Sequence, residues 1–65
     1  MEDKITYCVY WRSTYNKEWS SFSPWFENYE TAYEVMCHVI QNPACIECAI
    51  VERTEKFDFV TKWEK

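Results

Sequence analysis

The 65-residue chain contains no glycine, two prolines and one histidine, and its seven Lys and Arg are outnumbered by eleven Asp and Glu. Each shortage excludes a class of chemistry. Without glycine there is no glycine loop of the P-loop or dinucleotide-binding type to cradle a phosphate. A lone histidine, His38, gives nucleophilic catalysis no base unless its neighbours converge on it, and Cys37 beside it points elsewhere on a helix. The net charge of -4 works against nucleic acid phosphates, which require clustered Lys and Arg, and against anionic membrane surfaces. No apolar run approaches the length needed to cross a bilayer. The opening Met1-Glu2-Asp3-Lys4 is acidic and runs straight into a strand-like segment, so no secretory signal is expected.

What the chain has in surplus is aromatic side chains, at 20% of its residues. That share argues against disorder, because disordered chains are poor in aromatics. A chain this short makes one domain, residues 1–65, burying only about 60% of its unfolded surface. It has no room for both a full core and a large catalytic cleft. The expectation is a protein that is not an enzyme and needs no cofactor.

Hydrophobic periodicity divides the chain into five elements. Residues 4–12 alternate, with Ile5, Tyr7, Val9 and Trp11 on one face and Thr6, Cys8, Tyr10 and Arg12 on the other, which predicts a strand. Residues 13–18 are polar and read as a hairpin turn. In the absence of glycine, Asn16 is expected to take its left-handed position. Residues 18–23 form a weaker strand, in which Trp19 and Phe22 point to opposite faces and Pro24 confines the segment to a sheet edge. Residues 29–41 carry Ala32, Val35, Met36, Val39 and Ile40 at helical spacing, with Asn28 as N-cap and Asn42-Pro43 as the stop. Residues 45–53 and 57–63 read as two further strands joined by Thr54-Glu55-Lys56. In the last of these, Phe57, Phe59, Thr61 and Trp63 are expected on one side, and Asp58, Val60 and Lys62 on the other.

The resulting class is α+β: a four-stranded, mainly antiparallel sheet with one helix on one face, ββαββ, in strand order 2-1-3-4. The expected core is Ile5, Tyr7, Val9, Trp11, Phe22, Phe26, Val35, Met36, Val39, Ile40, Ile46, Cys48, Ile50, Phe57 and Phe59.

Cys8, Cys37, Cys45 and Cys48 would suggest two disulfides in a secreted chain of this size. With no signal and two of them inside apolar patterns, reduced thiols in a cytoplasmic protein are the better reading. Cys45-x-x-Cys48 with Cys37 and His38 has the residue types of a zinc site. Structural zinc, however, is held by ligand pairs on turns. Here the helical pair diverges, and two residues three apart on a strand face opposite ways. A small zinc module is therefore a minor alternative, and no metal ligand is assigned.

Glu27, Glu30 and Glu34 form the densest acidic group. Proximity to a helix N-terminus accounts for Glu27 and Glu30. Together the three also define an alternative role as an acidic mimic of nucleic acid, although a dedicated mimic would carry more charge.

One helix shields one sheet face. The other is expected to show Tyr10, Trp19, Val51 and Val60, with Cys8 and Ala49 between them, Arg12 and Lys62 at the ends, and Trp25 extending it. Tyr and Trp flanked by Arg is the composition that protein-binding surfaces select. The expected partner is a protein, with a homodimer as one form. Stacking of single-stranded bases on the same rings would need a positive groove that Arg12 and Lys62 do not make, so nucleic acid is disfavoured.

Phe26, Asn28, Glu30 and Ala32 at the helix start, then Asn42-Pro43, then Ile50 to Glu55 (IVERTE) form a pattern covering most of the chain. The pattern resembles small proteins encoded by bacteriophages and prophages. That resemblance implies a protein acting by binding a host or defence protein, commonly as a dimer, inside a bacterial cytoplasm. It assigns no site residue.

Overall fold

The computed structural model describes residues 5–65. Its elements are β1 (Thr6–Ser13), β2 (Ser20–Ser21), α1 (Tyr29–Val39), β3 (Cys45–Arg53) and β4 (Phe57–Glu64). They form one four-stranded sheet in the order β2-β1-β3-β4, antiparallel throughout, with the helix on one face. The ββαββ class and the strand order both follow the sequence pattern. Met1–Lys4, including the Lys4 at which the pattern begins the first strand, lie outside the described residues.

The centre of the sheet forms because β1 carries β-branched and aromatic residues in alternation and β3 supplies the β-branched Ile46, Ile50 and Val51. They pair from Thr6 opposite Arg53 to Arg12 opposite Glu47. Val9 and Ile50 face each other directly beneath the helix and are fully buried. On α1, Ala32, Met36 and Val39 are the buried side chains, the narrow inner part of the predicted stripe. Val35 and Ile40 flank the same cluster, along with Tyr7, Trp11, Phe26 and Trp63. Asn28 is extended and its side chain accepts from the Glu30 amide at 2.8 Å, so the cap falls where expected. The helix closes at Val39 rather than at residue 41, and Asn42 then turns the chain by accepting from the Ala44 amide.

Departures from strict alternation account for the differences. β2 is only Ser20–Ser21, because pairing with β1 breaks after Phe22. Phe22 lies opposite Val9, donating its amide to the Val9 carbonyl, and Phe26 next pairs with Tyr7. Two steps along β1 thus match four along the partner. Ser23, Pro24 and Trp25 form the resulting bulge, and proline's missing N–H costs no ladder bond there. Trp19 and Phe22 do face opposite sides: Phe22 packs edge-on against Trp11, and Trp19 against Phe59.

A second irregularity, between Ile50 and Val51, leaves Val60 as an extra residue in β4. Thr61 and Trp63 stay on the helix side, but Phe57 and Phe59 pass to the opposite face. These two, expected in the core, are 63% and 49% exposed. Ile5 and Phe22 are likewise exposed rather than core, lying at the margin of a sheet wider than the helix. A third shift, between Arg12 and Ser13, makes Ile46 the extra residue of β3. Cys45 and Cys48 therefore both enter the helix-side core instead of facing opposite ways.

The hairpin after β1 also forms without its expected backbone. No residue among those described has positive φ, so Asn16 is not left-handed. The turn is closed by the Ser13 amide, which donates to the Asn16 carbonyl at 2.9 Å, and by side chains. The buried Ser13 hydroxyl accepts from the amides of Tyr15 and Asn16, and the Asn16 side chain accepts from the Glu18 amide. Asn28→Ala should cost about 1 kcal/mol by removing the helix cap, with Asn28→Asp close to neutral. Urea unfolding monitored by circular dichroism would measure both.

Candidate functional site

The face away from the helix begins with small residues. Cys8 on β1 and Ala49 and Val51 on β3 occupy its middle and are fully or almost fully buried. Val51 was expected at the surface with Tyr10 and Val60; instead it belongs to a second, thin core. The cover comes from the segment around β2. Trp19 precedes β2, yet its ring lies 5.1 Å from that of Phe59 on β4, across β1 and β3. Trp25, next to Phe26 and on the opposite face from it, lies 6.2 Å from Tyr10 and 5.7 Å from Phe57. Two indoles therefore span the sheet from one edge to the other, and they fit because nothing large stands between. Such ring pairs each contribute about 0.5–1.5 kcal/mol beyond their burial.

Cations complete both clusters. The Arg53 guanidinium lies 4.4 Å from the centre of the Trp25 ring. The Lys62 ammonium lies 5.9 Å from Trp19 and 5.8 Å from Phe59. Glu47, 8% exposed, ties the far end together. Its carboxylate accepts from Arg12 and sits 3.9 Å from the Lys62 ammonium. Arg12 also donates to the Lys17 carbonyl, fastening the hairpin to the sheet.

The structure thus gathers Tyr10, Arg12, Trp19, Trp25 and Lys62 on one face, with Val60 in the bulge at its margin. It alters their roles. Tyr10, Trp19 and Trp25 are half-buried and act as cover, and Arg12 is engaged by Glu47. The large apolar side chains most open to solvent on this face are Phe57 at 63% and Phe59 at 49%, with Val60 at 44%. Sequence reasoning missed Phe57, Phe59, Arg53 and Glu47. The β4 bulge that turns the two phenylalanines leaves no mark in a run that alternates cleanly. The signal for Glu47 was present: a lone carboxylate in an apolar strand needs a cationic partner.

Elsewhere, Glu27, Glu30 and Glu34 are exposed. Glu30 and Glu34 line a shallow depression of about 420 Å³ with Tyr29 and Tyr33, whose rings stack 6.2 Å apart. The Tyr29 hydroxyl shares a hydrogen bond with Thr61. The four cysteines are free thiols. Burial pushes the Cys45 thiol up, and pushes Cys48 up to about 12, with the neighbouring Cys45 adding to it. Among the described residues, no three His, Cys, Asp or Glu side chains converge as a metal site would require. No helix among them is long and apolar enough to cross a membrane. No family model, curated protein or solved structure matches this chain.

Ala49→Leu should destabilise the fold by about 1–3 kcal/mol, because the added carbons fill the space over which the indoles close. A red-shifted tryptophan emission in the folded variant would accompany it. Glu47→Ala should cost about 1–3 kcal/mol, the penalty for stripping a charged hydrogen-bond partner from Arg12, moderated by the part of Arg12 that water reaches. Thermal melts of wild type and variant give that value. The raised Cys48 pKa means that the folded state holds its proton where the unfolded chain releases it. This contribution is intact below pH 9 and is lost as pH rises from about 9 towards 12. A chromogenic disulfide reagent at neutral pH should accordingly modify the half-buried Cys37 first, reaching Cys8, Cys45 and Cys48 only on unfolding.

Proposed function

We propose that this protein is a small binding module that engages another protein through the β4 side of its aromatic face, in the manner of a phage-encoded modulator of a host or defence protein. The single observation carrying this reading is the exposure of Phe57, Phe59 and Val60 together on one edge strand. Contiguous exposed apolar side chains rimmed by polar groups are what interaction sites present. Several features support it. β4 is an eight-residue edge strand, whereas the opposite edge, β2, is only two residues long and is followed by Pro24. The rings beneath Phe57 and Phe59 are fixed by contacts on both sides, so the surface is largely ordered before binding. Arg and aromatic residues are the types from which binding hot spots are drawn.

The function proposed is non-catalytic, and its action is occupancy of a partner's surface. Affinity capture from a bacterial lysate with tagged protein, alongside the double variant Phe57→Ser/Phe59→Ser, tests it. Wild type should retain a defined protein in stoichiometric amount, and the variant, folded by circular dichroism, should lose it. Equal retention by both would overturn the assignment to this face. Sedimentation across a concentration series reports whether a second copy of the chain is the partner.

A further inference from the structure

Charge is segregated between the two sides of the molecule. The sheet register puts Arg12, Arg53 and Lys62 on the aromatic face, with Glu47 and Glu64. Glu47 is already shared between Arg12 and Lys62. Glu52 and Asp58 stand opposite each other on the helix side, and Glu30 and Glu34 are exposed on the helix itself. Four carboxylates of the described residues, Glu30, Glu34, Glu52 and Asp58, therefore lie behind the face that carries Phe57 and Phe59. Screening falls off over about 8 Å at physiological salt, so a partner in contact with the aromatic face meets the charges of that face first.

Arg53 is the informative residue. Its guanidinium lies over the Trp25 ring, 4.4 Å from its centre, and among the described residues no carboxylate is paired with it. A guanidinium stacked on an indole keeps its planar fork of N–H donors directed outward and suited to a carboxylate. Lys62 stands near the other end of β4. Arg53 pairs with Phe57, and four regular steps separate Phe57 from Lys62 once Val60 is set aside as a bulge. The two cations thus bracket the exposed apolar side chains over about 13 Å at strand rise.

We infer that the occupant of this face is an extended acidic segment of a partner protein, with an apolar side chain seated between Phe57 and Phe59 and carboxylates on Arg53 and Lys62. The inference rests on the binding-module reading and specifies its ligand. An extended chain places same-side residues every second position, so the matching pattern is acid-x-apolar-x-acid. Apolar contact supplies most of the affinity, and the two charge pairs set orientation and reject basic segments.

The test uses the full chain, isotopically labelled, and three synthetic peptides: Glu-Thr-Phe-Thr-Glu with capped ends, and the same peptide with Gln or Lys in place of each Glu. Shifts of the indole N–H signals of Trp19 and Trp25 report binding. The acidic peptide should bind most tightly, weaken as salt is raised, and lose about fivefold in Arg53→Gln, the scale of one exposed ion pair. Arg53→Gln removes a surface charge, and its thermal melt checks that the fold persists. Equal binding of the three peptides, lost in Phe57→Ser/Phe59→Ser, would overturn the acidic preference and leave the docking face standing. Binding of the acidic peptide that shifts helix signals and spares both indoles would overturn the acidic occupant and count against the face itself. Absence of binding by all three overturns the acidic occupant, with lysate capture deciding the face independently. Self-association on its own, with no peptide competing for it, would assign the face to a second copy and overturn the inference.

Discussion

The constraint on which the structure depends is that one eleven-residue helix must serve a four-stranded sheet. A helix packs about 10 Å from its sheet and is about as wide as two strands. It therefore covers β1 and β3, where Val9 and Ile50 meet, and leaves the sheet edges and the whole reverse face to be closed by other means. In a larger protein a second helix would do this. Here aromatic side chains do it, which gives the composition its physical reason. On the helix side Trp11, Phe26 and Trp63 widen the core beyond the reach of the helix. On the reverse side Trp19 and Trp25 act as a roof.

The roof works only with a particular floor. Cys8, Ala49 and Val51 are small, so the indoles descend far enough to exclude water from β1 and β3. Two irregularities lie beside the rings. The Ser23–Trp25 bulge adds an even number of residues, so Phe22 and Phe26 both remain on the helix side and Trp25 keeps the reverse face that alternation gives it. The Val60 bulge turns Phe57 and Phe59 to meet the two indoles. Bulges also bend and twist an edge strand, which protects it from indiscriminate pairing with other chains. The same Val60 bulge that turns Phe57 and Phe59 towards the roof leaves their outer edges in solvent. Closing the second face and creating an exposed patch are thus one event in this fold.

How far the sequence discloses this follows from which features are periodic. The α+β class, the strand order and the Asn28 cap follow from alternation, helical spacing and capping chemistry. The middle of the molecule, Val9, Met36, Val39, Cys48 and Ile50, is legible for the same reason. A bulge is a one- or two-residue slip without a residue signature of its own in a glycine-free chain, so faces assigned beyond a bulge come out reversed. Phe57, Phe59 and Cys45 lie beyond such slips. Val51 is different: its face follows from alternation, but its burial depends on rings arriving from a segment thirty residues earlier. Asn16 shows a third limit. Backbone strain is the obvious device for a turn without glycine, yet a backbone hydrogen bond between Ser13 and Asn16, with the side chains of the same two residues, closes it with ordinary φ.

Rigidity is what the proposed binding surface has beyond mere apolar exposure. A side chain on an unsupported edge loses rotamer freedom when it binds, which offsets much of what its contact contributes. Phe57 and Phe59 are each held from behind by an indole, and the indoles are held by Arg53 and Lys62. Lys62 is in turn anchored to Glu47, which Arg12 joins to the hairpin. The cations therefore serve twice: they press the roof onto the sheet, and they set the sign of charge around its exposed rim. A partner segment that matched the phenylalanines but carried Lys or Arg would meet like charge where the rings are best supported. In the proposed binding role, selectivity at this surface is coupled to the interactions that close the second core, and a change that loosens the roof should blur partner choice before it unfolds the protein.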